Sequence, residues 1–470
     1  MEGRRGLAKP SPMVVGVLLF LASALLIGMA FGSSASAGLP YTHEGIPIGD
    51  IVSQSSALTP TITIYLPLLM KNHPPFRVPN DTYYASHQWS LQRINAHRAW
   101  TITTGSDDIT IAIVDTGVDL DHPDLQAKIV PGYDFVNHDN DPSDDHGHGS
   151  HVAGIAAAAT DNGLGVAGVS WGARIMPVKV LDSAGEGFTD DVAQGVIWAT
   201  EHGARIINLS LGDEEPLPVL RDATAYAHER GALVVAAAGN CAAGGYDCSG
   251  INPIIYPAAY PHIIAVAATT KSDGHASFSE YHPYVDVAAP GVGIYSTFWD
   301  DTYGHSQGTS SATPHVAGLA ALIWSVKPGL SNEQVRGIIE ATAIDLGTPG
   351  KDDFFGYGRI DAYAALLRAL NVSPASAERA VERTPMEAKP NPDGEFEVGT
   401  VLVKLRTGIT ASAARSLLEG LSASISGQIP EIGVVRLSVP VGHELETIAE
   451  LDRNPLVEYA ELNHIVHIVD

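Results

Sequence analysis

Between residues 81 and 370, short runs of aliphatic and β-branched residues alternate with longer stretches whose apolar positions recur every three or four residues. The run "ITIAIVD" (109–115) is apolar at nearly every position, which predicts a strand covered on both faces. "HVAGIAAAA" follows with the composition of a packed helix. "RIMPVKVL" (174–181) predicts a strand and "DDVAQGVIWATEHG" (190–203) a helix stopped by Gly203. "ARIINLSLG" (204–212), "LRDATAYAHERG" (220–231) and "ALVVAAAGN" (232–240) continue as strand, helix and strand, and "HIIAVAAT" (262–269) adds another strand. "SSATPHVAGLAALIWSV" (310–326) predicts a long apolar helix with Pro314 near its first turn. There the missing N–H costs least. Ser331 and Gln334 make a capping box for the next helix. This βαβ alternation predicts an α/β fold: an open, mainly parallel sheet with helices on both faces.

The pattern changes at both ends. Residues 371–394 are polar with four prolines and read as a linker. Residues 395–470 then run strand, helix, strand, helix, strand ("FEVGTVLVKL", "ASAARSLLEGL", "GVVRLSV", "ELETIAELDRN", "VEYAELNHIVHIV"). That order predicts a small α+β, ferredoxin-like domain. At the other end, Arg4, Arg5 and Lys9 precede an apolar stretch from Met13 to Phe31 and a small-residue site, Ala35-Ser36-Ala37. Residues 1–37 therefore read as a signal peptide that directs the chain out of the cell. The apolar stretch is also long enough to be retained as an anchor, with the rest facing outside. Residues 38–80 make a proline-rich extension with one short candidate strand.

Composition narrows the picture. The 470 residues are 45% apolar and 17% charged, as in a globular protein. Losing residues 1–37 removes three of 27 basic and one of 53 acidic side chains, leaving 24 and 52 and a formal charge of −28. Such a surface repels nucleic acid and anionic membranes, and suits calcium and solubility outside a cell. The chain is read as a monomer. The two cysteines, Cys241 and Cys248, suit a disulfide in an exported protein and do not have zinc spacing. Two free thiols are the alternative.

Three short patches carry chemistry. Asp115 ends a buried strand in "IVDTGVD", His148 opens a helix in "DDHGHGSHVAGI", and Ser310 opens another in "GTSSATPHVAG". In a parallel α/β sheet, the C-terminal strand ends and adjoining helix starts gather along one edge, where ligands bind. Brought together there, Asp, His and Ser supply an orienting carboxylate, a general base and a nucleophile. The chemical rival is zinc held by His146, His148 and His151, which leaves Asp115 and Ser310 without a role. Taken alone, a serine at a helix start is an ordinary cap.

The three patches resemble the active-site signatures of subtilisin-like serine proteases, in particular the thermitase-like branch. They occur in that family's Asp, His, Ser order, 33 and 162 residues apart. The resemblance covers about residues 81–370. It implies an endopeptidase in which His148 is the base, His151 is structural and Asn240 donates its side-chain amide to the oxyanion. It also implies that Ser210, Leu211 and Gly212 pair with an extended peptide substrate, while Ala237, Ala238 and Gly239 form the opposite wall. Ile255, near the base of the first pocket, implies an apolar, shallow site. Ser311 departs from the pattern, because many relatives carry methionine directly after the nucleophile.

The same resemblance implies structural Ca2+ at two loops. The first set is Asp81, Asp124, Asn162 and the carbonyls of Thr160, Leu164 and Val166. The second is Asp134, Asp139 and Asp141. Oxygen-rich sets of this kind suit a hard cation. Residues 395–468 resemble the propeptide, inhibitor-type domain that zymogens of this family carry ahead of the catalytic domain. Here it follows, and a linker of 24 residues spans roughly 25–30 Å r.m.s., enough to reach the cleft. The tail is therefore read as an intramolecular inhibitor. Two other functions compete: a catalytically silent binding module held by its tail, and another acyl-transfer role such as an esterase or peptide maturase.

Overall fold

The computed structural model describes residues 76–244, 248, 250–373, 395–409, 417 and 421–469. The expected signal peptide, the candidate strand of the extension, most of the linker and most of the helix expected over 411–421 lie outside these residues.

Nine strands run from Thr110 to Pro290: β1 (Thr110–Asp115), β2 (Tyr133–Asp134), β3 (Arg174–Lys179), β4 (Glu186–Phe188), β5 (Ile206–Leu209), β6 (Leu211–Gly212), β7 (Leu233–Ala237), β8 (Ile264–Thr269) and β9 (Val285–Pro290). Seven of them form one sheet in the order β2-β3-β1-β5-β7-β8-β9, and every pairing in it is parallel. Strand β1 behaves as its continuous apolar pattern requires. Ile111 and Ile113 enter one core, Ala112 and Val114 the other.

Helices cover both faces. Helices α1 (His148–Ala157), α4 (Thr309–Val326), α5 (Asn332–Thr342) and α6 (Ala362–Asn371) pack on the Ile111 side, α2 (Thr189–Glu201) and α3 (Pro218–Glu229) on the other. Ser331 and Gln334 form the expected capping box on α5. Pro314 is not in the first turn of α4. It is the sixth residue, and its absent N–H leaves the Ser310 carbonyl without a helical donor. The Ser210 hydroxyl donates to that carbonyl at 3.0 Å. A buried carbonyl left unmet costs about 1–3 kcal/mol, so this bond offsets the hydrogen-bond part of the cost of a proline at that point.

A hairpin of β10 (Ile294–Phe298) and β11 (Thr302–Ser306) follows, and the C-terminal domain adds β12 (Phe396–Leu405), β13 (Ser424–Ile429), β14 (Val434–Ser438), α7 (Glu444–Leu451) and β15 (Val457–Ile468). Its strands pair antiparallel in the order β13-β14-β12-β15. Alternation along β12 divides the packing. Val401 and Val403 enter the domain's own core with Leu437 and Leu451, whereas Leu402 packs into the sheet core on the α2 and α3 side. Strand β13 was not expected. Its sequence "SISGQI" is polar and Ile425 is exposed, so it lacks the apolar alternation by which strands are recognised.

Candidate active site

Asp115 sits at the carboxyl end of β1, fully buried. Its Oδ1 accepts from Thr116 N at 2.8 Å and lies 2.7 Å from His148 Nδ1. His148 is the first residue of α1. The helix start can come this close to the strand end only because residue 149 is glycine, where a Cβ would overlap the Gly117 carbonyl.

Asp144, which the sequence analysis passed over, fixes the junction. Its Oδ1 accepts from Thr116 Oγ1, His146 N and Gly147 N at 2.8–3.0 Å, and its Oδ2 from Ser150 N and Oγ at 2.6–2.9 Å. Thr116 Oγ1 in turn accepts from Gly149 N at 3.0 Å. An acidic residue just ahead of a helix start was the available signal. The zinc arrangement is not formed. His148 Nδ1 is committed to Asp115, and His151 Nε2 pairs with the Ile294 carbonyl at 3.1 Å on another element.

Ser310 is the second residue of α4 and is buried. Asn240 follows β7. Its Oδ1 accepts from Thr309 N at 2.9 Å and Thr309 Oγ1 at 3.0 Å, which turns Nδ2 the other way. Nδ2 is buried and has no partner among the described residues. The backbone of Gly308, at φ +147°, borders this space. A Cβ there would stand 2.7 Å from Ser310 Oγ, 3.0 Å from Asn240 Nδ2 and 3.1 Å from the Val469 carbonyl oxygen. An alcohol, an amide donor and a peptide carbonyl thus surround one point.

That carbonyl belongs to the segment just after β15. Ile465–His467 pair antiparallel with β4, and His467 and Ile468 with β6. Ile468 N donates to Gly185 O at 3.0 Å and Val469 N to Ser210 O at 3.2 Å. The tail therefore lies as an extended strand between two others. Ser210, Leu211 and Gly212 form one side of this arrangement. The pairing strand on the other side is β4, which the sequence analysis did not single out, since three half-exposed residues give little pattern. Ala237 ends β7, and it and the two residues that follow, Ala238 and Gly239, are buried. Ile255 spans the gap between walls: its Cγ2 lies 2.8 Å from a Cβ position on Gly212, and its Cγ1 2.5 Å from one on Gly239. A Val469 methyl group approaches the same Gly212 position at 3.5 Å.

The C-terminal domain also caps two helices that lack caps of their own. At α2, Asp190 N donates to Asn463 Oδ1 at 3.1 Å, and Asn463 Nδ2 donates to Asp190 Oδ1 at 2.8 Å. Arg436 pairs with Asp190 at 2.8 Å. At α3, Val219 N donates to Glu461 Oε1 at 2.8 Å.

Among the expected metal ligands, Asp81 and Asp124 are buried neighbours. Burial first, and the Asp124 charge among other causes, push the Asp81 carboxyl up to about 6. The donors that reach the pair, Asp161 N, Asn162 Nδ2, Val166 N and the Tyr303 hydroxyl, are all neutral. Asn162 Oδ1 accepts from Leu164 N, and the Thr160 hydroxyl donates to Ala158 O. Two buried carboxylates with neutral partners fit a hard cation. The second set is dispersed in its loop. Asp134 is buried and accepts from Asn137, whereas Asp139 and Asp141 are exposed and accept from Asp141 N and the Ser143 hydroxyl. Among the described residues, the acidic trio whose oxygens lie within 4.8 Å of one another is Asp119, Asp121 and Asp301. Its third member is distant in sequence and left no local signal. Cys241 and Cys248 form a disulfide, their Cα atoms 5.7 Å apart.

A parallel sheet carrying a buried aspartate–histidine pair, a helix-start serine and an aimed amide defines the serine hydrolase class. The Subtilase family model matches residues 106–358, and the Fervidolysin N-terminal prodomain model matches residues 382–463. The thermophilic serine proteinase of Bacillus sp. strain AK1 is 46% identical over 61% of this chain and 69% of its own. Thermitase of Thermoactinomyces vulgaris is 46% identical over 61% of this chain and 99% of its own. A solved protease structure from Pseudoalteromonas arctica is 34% identical with a TM-score of 0.55, covering 62% of this chain and 99% of that one. The chain belongs to the subtilase family and is a subtilisin-like serine protease, with a prodomain-like unit behind the protease rather than ahead of it.

Proposed function

We propose that this protein is an exported, calcium-stabilised endopeptidase held in check by its own C-terminal domain. Ser310 Oγ attacks the scissile carbonyl while His148 takes its proton, and Asp115 holds the imidazole in the right tautomer and stabilises its cation. Asn240 Nδ2 and Ser310 N–H receive the oxyanion. His148 then returns the proton to the leaving amine, and water releases the acyl group by the same steps reversed.

The observation that carries this reading is the convergence of Ser310 Oγ, Asn240 Nδ2 and the Val469 carbonyl around Gly308. The tail lies as a substrate would, and its backbone bonds to Ser210 O and Gly185 O are ones any extended peptide can make. Side-chain choice then falls to the first pocket, where the span of Ile255 leaves room for a short apolar residue such as valine.

Calcium at Asp81 and Asp124, with Asn162 and the carbonyls of Thr160, Leu164 and Val166, would neutralise two buried charges. The Asp134, Asp139 and Asp141 loop is the weaker match for a second ion. Export rests on the leader-like residues 1–37 and the disulfide. Among the described residues no helix is long and apolar enough to cross a membrane.

Casein and a simple ester are the assays that separate the candidate activities. The full chain is expected to hydrolyse casein once its tail is displaced, and Ser310→Ala to hydrolyse neither substrate. Ester cleavage without any casein cleavage would favour a maturase or esterase, and no turnover with intact folding would favour a silent binding module.

A further inference from the structure

The segment Gly239–Asn240–Cys241 is held from behind by one residue that the reaction does not use. Glu280 N donates to the Gly239 carbonyl at 2.9 Å, and Glu280 Oε1 accepts from Cys241 N at 2.9 Å. The two bonds flank Asn240. The Glu280 side chain is wholly buried, and its Oε2 has no hydrogen-bond partner among the described residues. A buried oxygen left unmet is uncommon and calls for a reason.

The surroundings favour the neutral form of this carboxyl. His282 Nε2 lies 4.0 Å from Oε2 but is engaged by the carbonyls of Asn252 and Pro253. Tyr284 bonds to Ile255 N and Ala238 O instead. Burial, aided by the Glu214 charge and opposed by Cys241 N–H, pushes the group up to about 8. A carboxylate beside the oxyanion site would oppose the charge that develops there. A neutral carboxyl grips the chain without that penalty.

We propose that Glu280 is a positioning residue for the oxyanion donor: by fixing the peptide units on both sides of Asn240 it sets the direction of the Asn240 amide. This rests on Asn240 acting as that donor. The other half of the alignment is the clamp of Thr309 on Asn240 Oδ1. Thr309 holds the side chain and Glu280 holds the backbone that carries it.

The test is a kinetic double-mutant cycle on the full chain with a chromogenic peptide, using Glu280→Met, Glu280→Gln and Asn240→Ala. Methionine fills the space but accepts no N–H bond, whereas glutamine still accepts from Cys241 N. Glu280→Met is expected to lower kcat about tenfold or more with KM nearly unchanged, and Glu280→Gln to restore most of kcat. Asn240→Ala is expected to cost about 10²–10³ in the parent, but markedly less beside Glu280→Met, because the two act as one unit. Unchanged kcat in Glu280→Met, or losses that simply add, overturns the proposal while leaving Asn240 in its role. Loss of turnover confined to peptides with a basic first residue also overturns it, and assigns the carboxyl to the first pocket. An Asn240→Ala variant with full kcat removes the oxyanion reading itself, and this proposal with it.

Discussion

At the scale of single residues, Asp115 is the clearest lever. Its carboxylate is buried, takes a bond from Thr116 N and meets His148 Nδ1 at 2.7 Å. Asp115→Asn keeps the shape but replaces the acceptor's charge and invites the wrong imidazole tautomer. Steady-state kinetics should give a fall in kcat of about 10⁴ with KM little changed, a figure known from other serine-protease triads rather than from this geometry. A loss below tenfold would mean that His148 does not depend on Asp115. The three signature patches were legible in sequence because each chemical group sits inside a short local motif. Asp144 and Thr116 were not, since their value lies in hydrogen bonds between a strand end and a helix start. Nor was the trio Asp119, Asp121 and Asp301, which only the fold assembles.

At the scale of elements, strands buried on both faces were legible and strands made by pairing were not. β1 declares itself by its unbroken apolar run, whereas β4 and β6 are two or three residues long and join a sheet through β15. Pro314 misled for a related reason: its place inside α4 is tolerated because Ser210, about a hundred residues away, supplies the missing donor. β6 yields a prediction of its own. A Cβ on Gly212 would press on the Tyr256 carbonyl at 2.7 Å and on Ile255 at 2.8 Å. Gly212→Ala therefore overpacks the first pocket, at about 1–3 kcal/mol. KM for a valine-containing peptide should rise about 5- to 150-fold, and the tail should dock more weakly to a similar degree. A titration in which only one of the two changed would contradict a shared site.

At the scale of the whole molecule, docking of the tail is coupled to protons. The Glu461 carboxyl packs against the start of α3, and desolvation there, reinforced by Asp222 and opposed by Val219 N–H and Arg221, holds it well above the usual carboxylate range. Tyr260 and Tyr459 close the same space and feel its charge. The group is thus neutral when docked and ionised when free above its ordinary range, so docking takes up a proton. Inhibition should be strongest at acid pH and weaken as pH rises from that range towards the docked value. Glu461→Gln should flatten this dependence in an inhibition assay run across pH; a slope unchanged by the substitution would move the effect elsewhere. The proposed calcium at Asp81 and Asp124 gives a separate prediction. Chelation should lower the unfolding temperature, and Asp81→Asn should remove most of that response, as linkage to a single strong site requires.

Ser310 is thus read as an activated nucleophile whose cleft the tail fills. Intact-mass spectrometry after exposure to a fluorophosphonate tests both halves, comparing the full chain, Ile468→Pro, which removes the N–H that bonds to Gly185 O, and Ser310→Ala. Slow single labelling of the full chain, fast labelling at Ser310 in Ile468→Pro and none in Ser310→Ala are expected. Equal labelling of the first two would contradict the tail's role, and labelling that survives in Ser310→Ala would contradict the nucleophile.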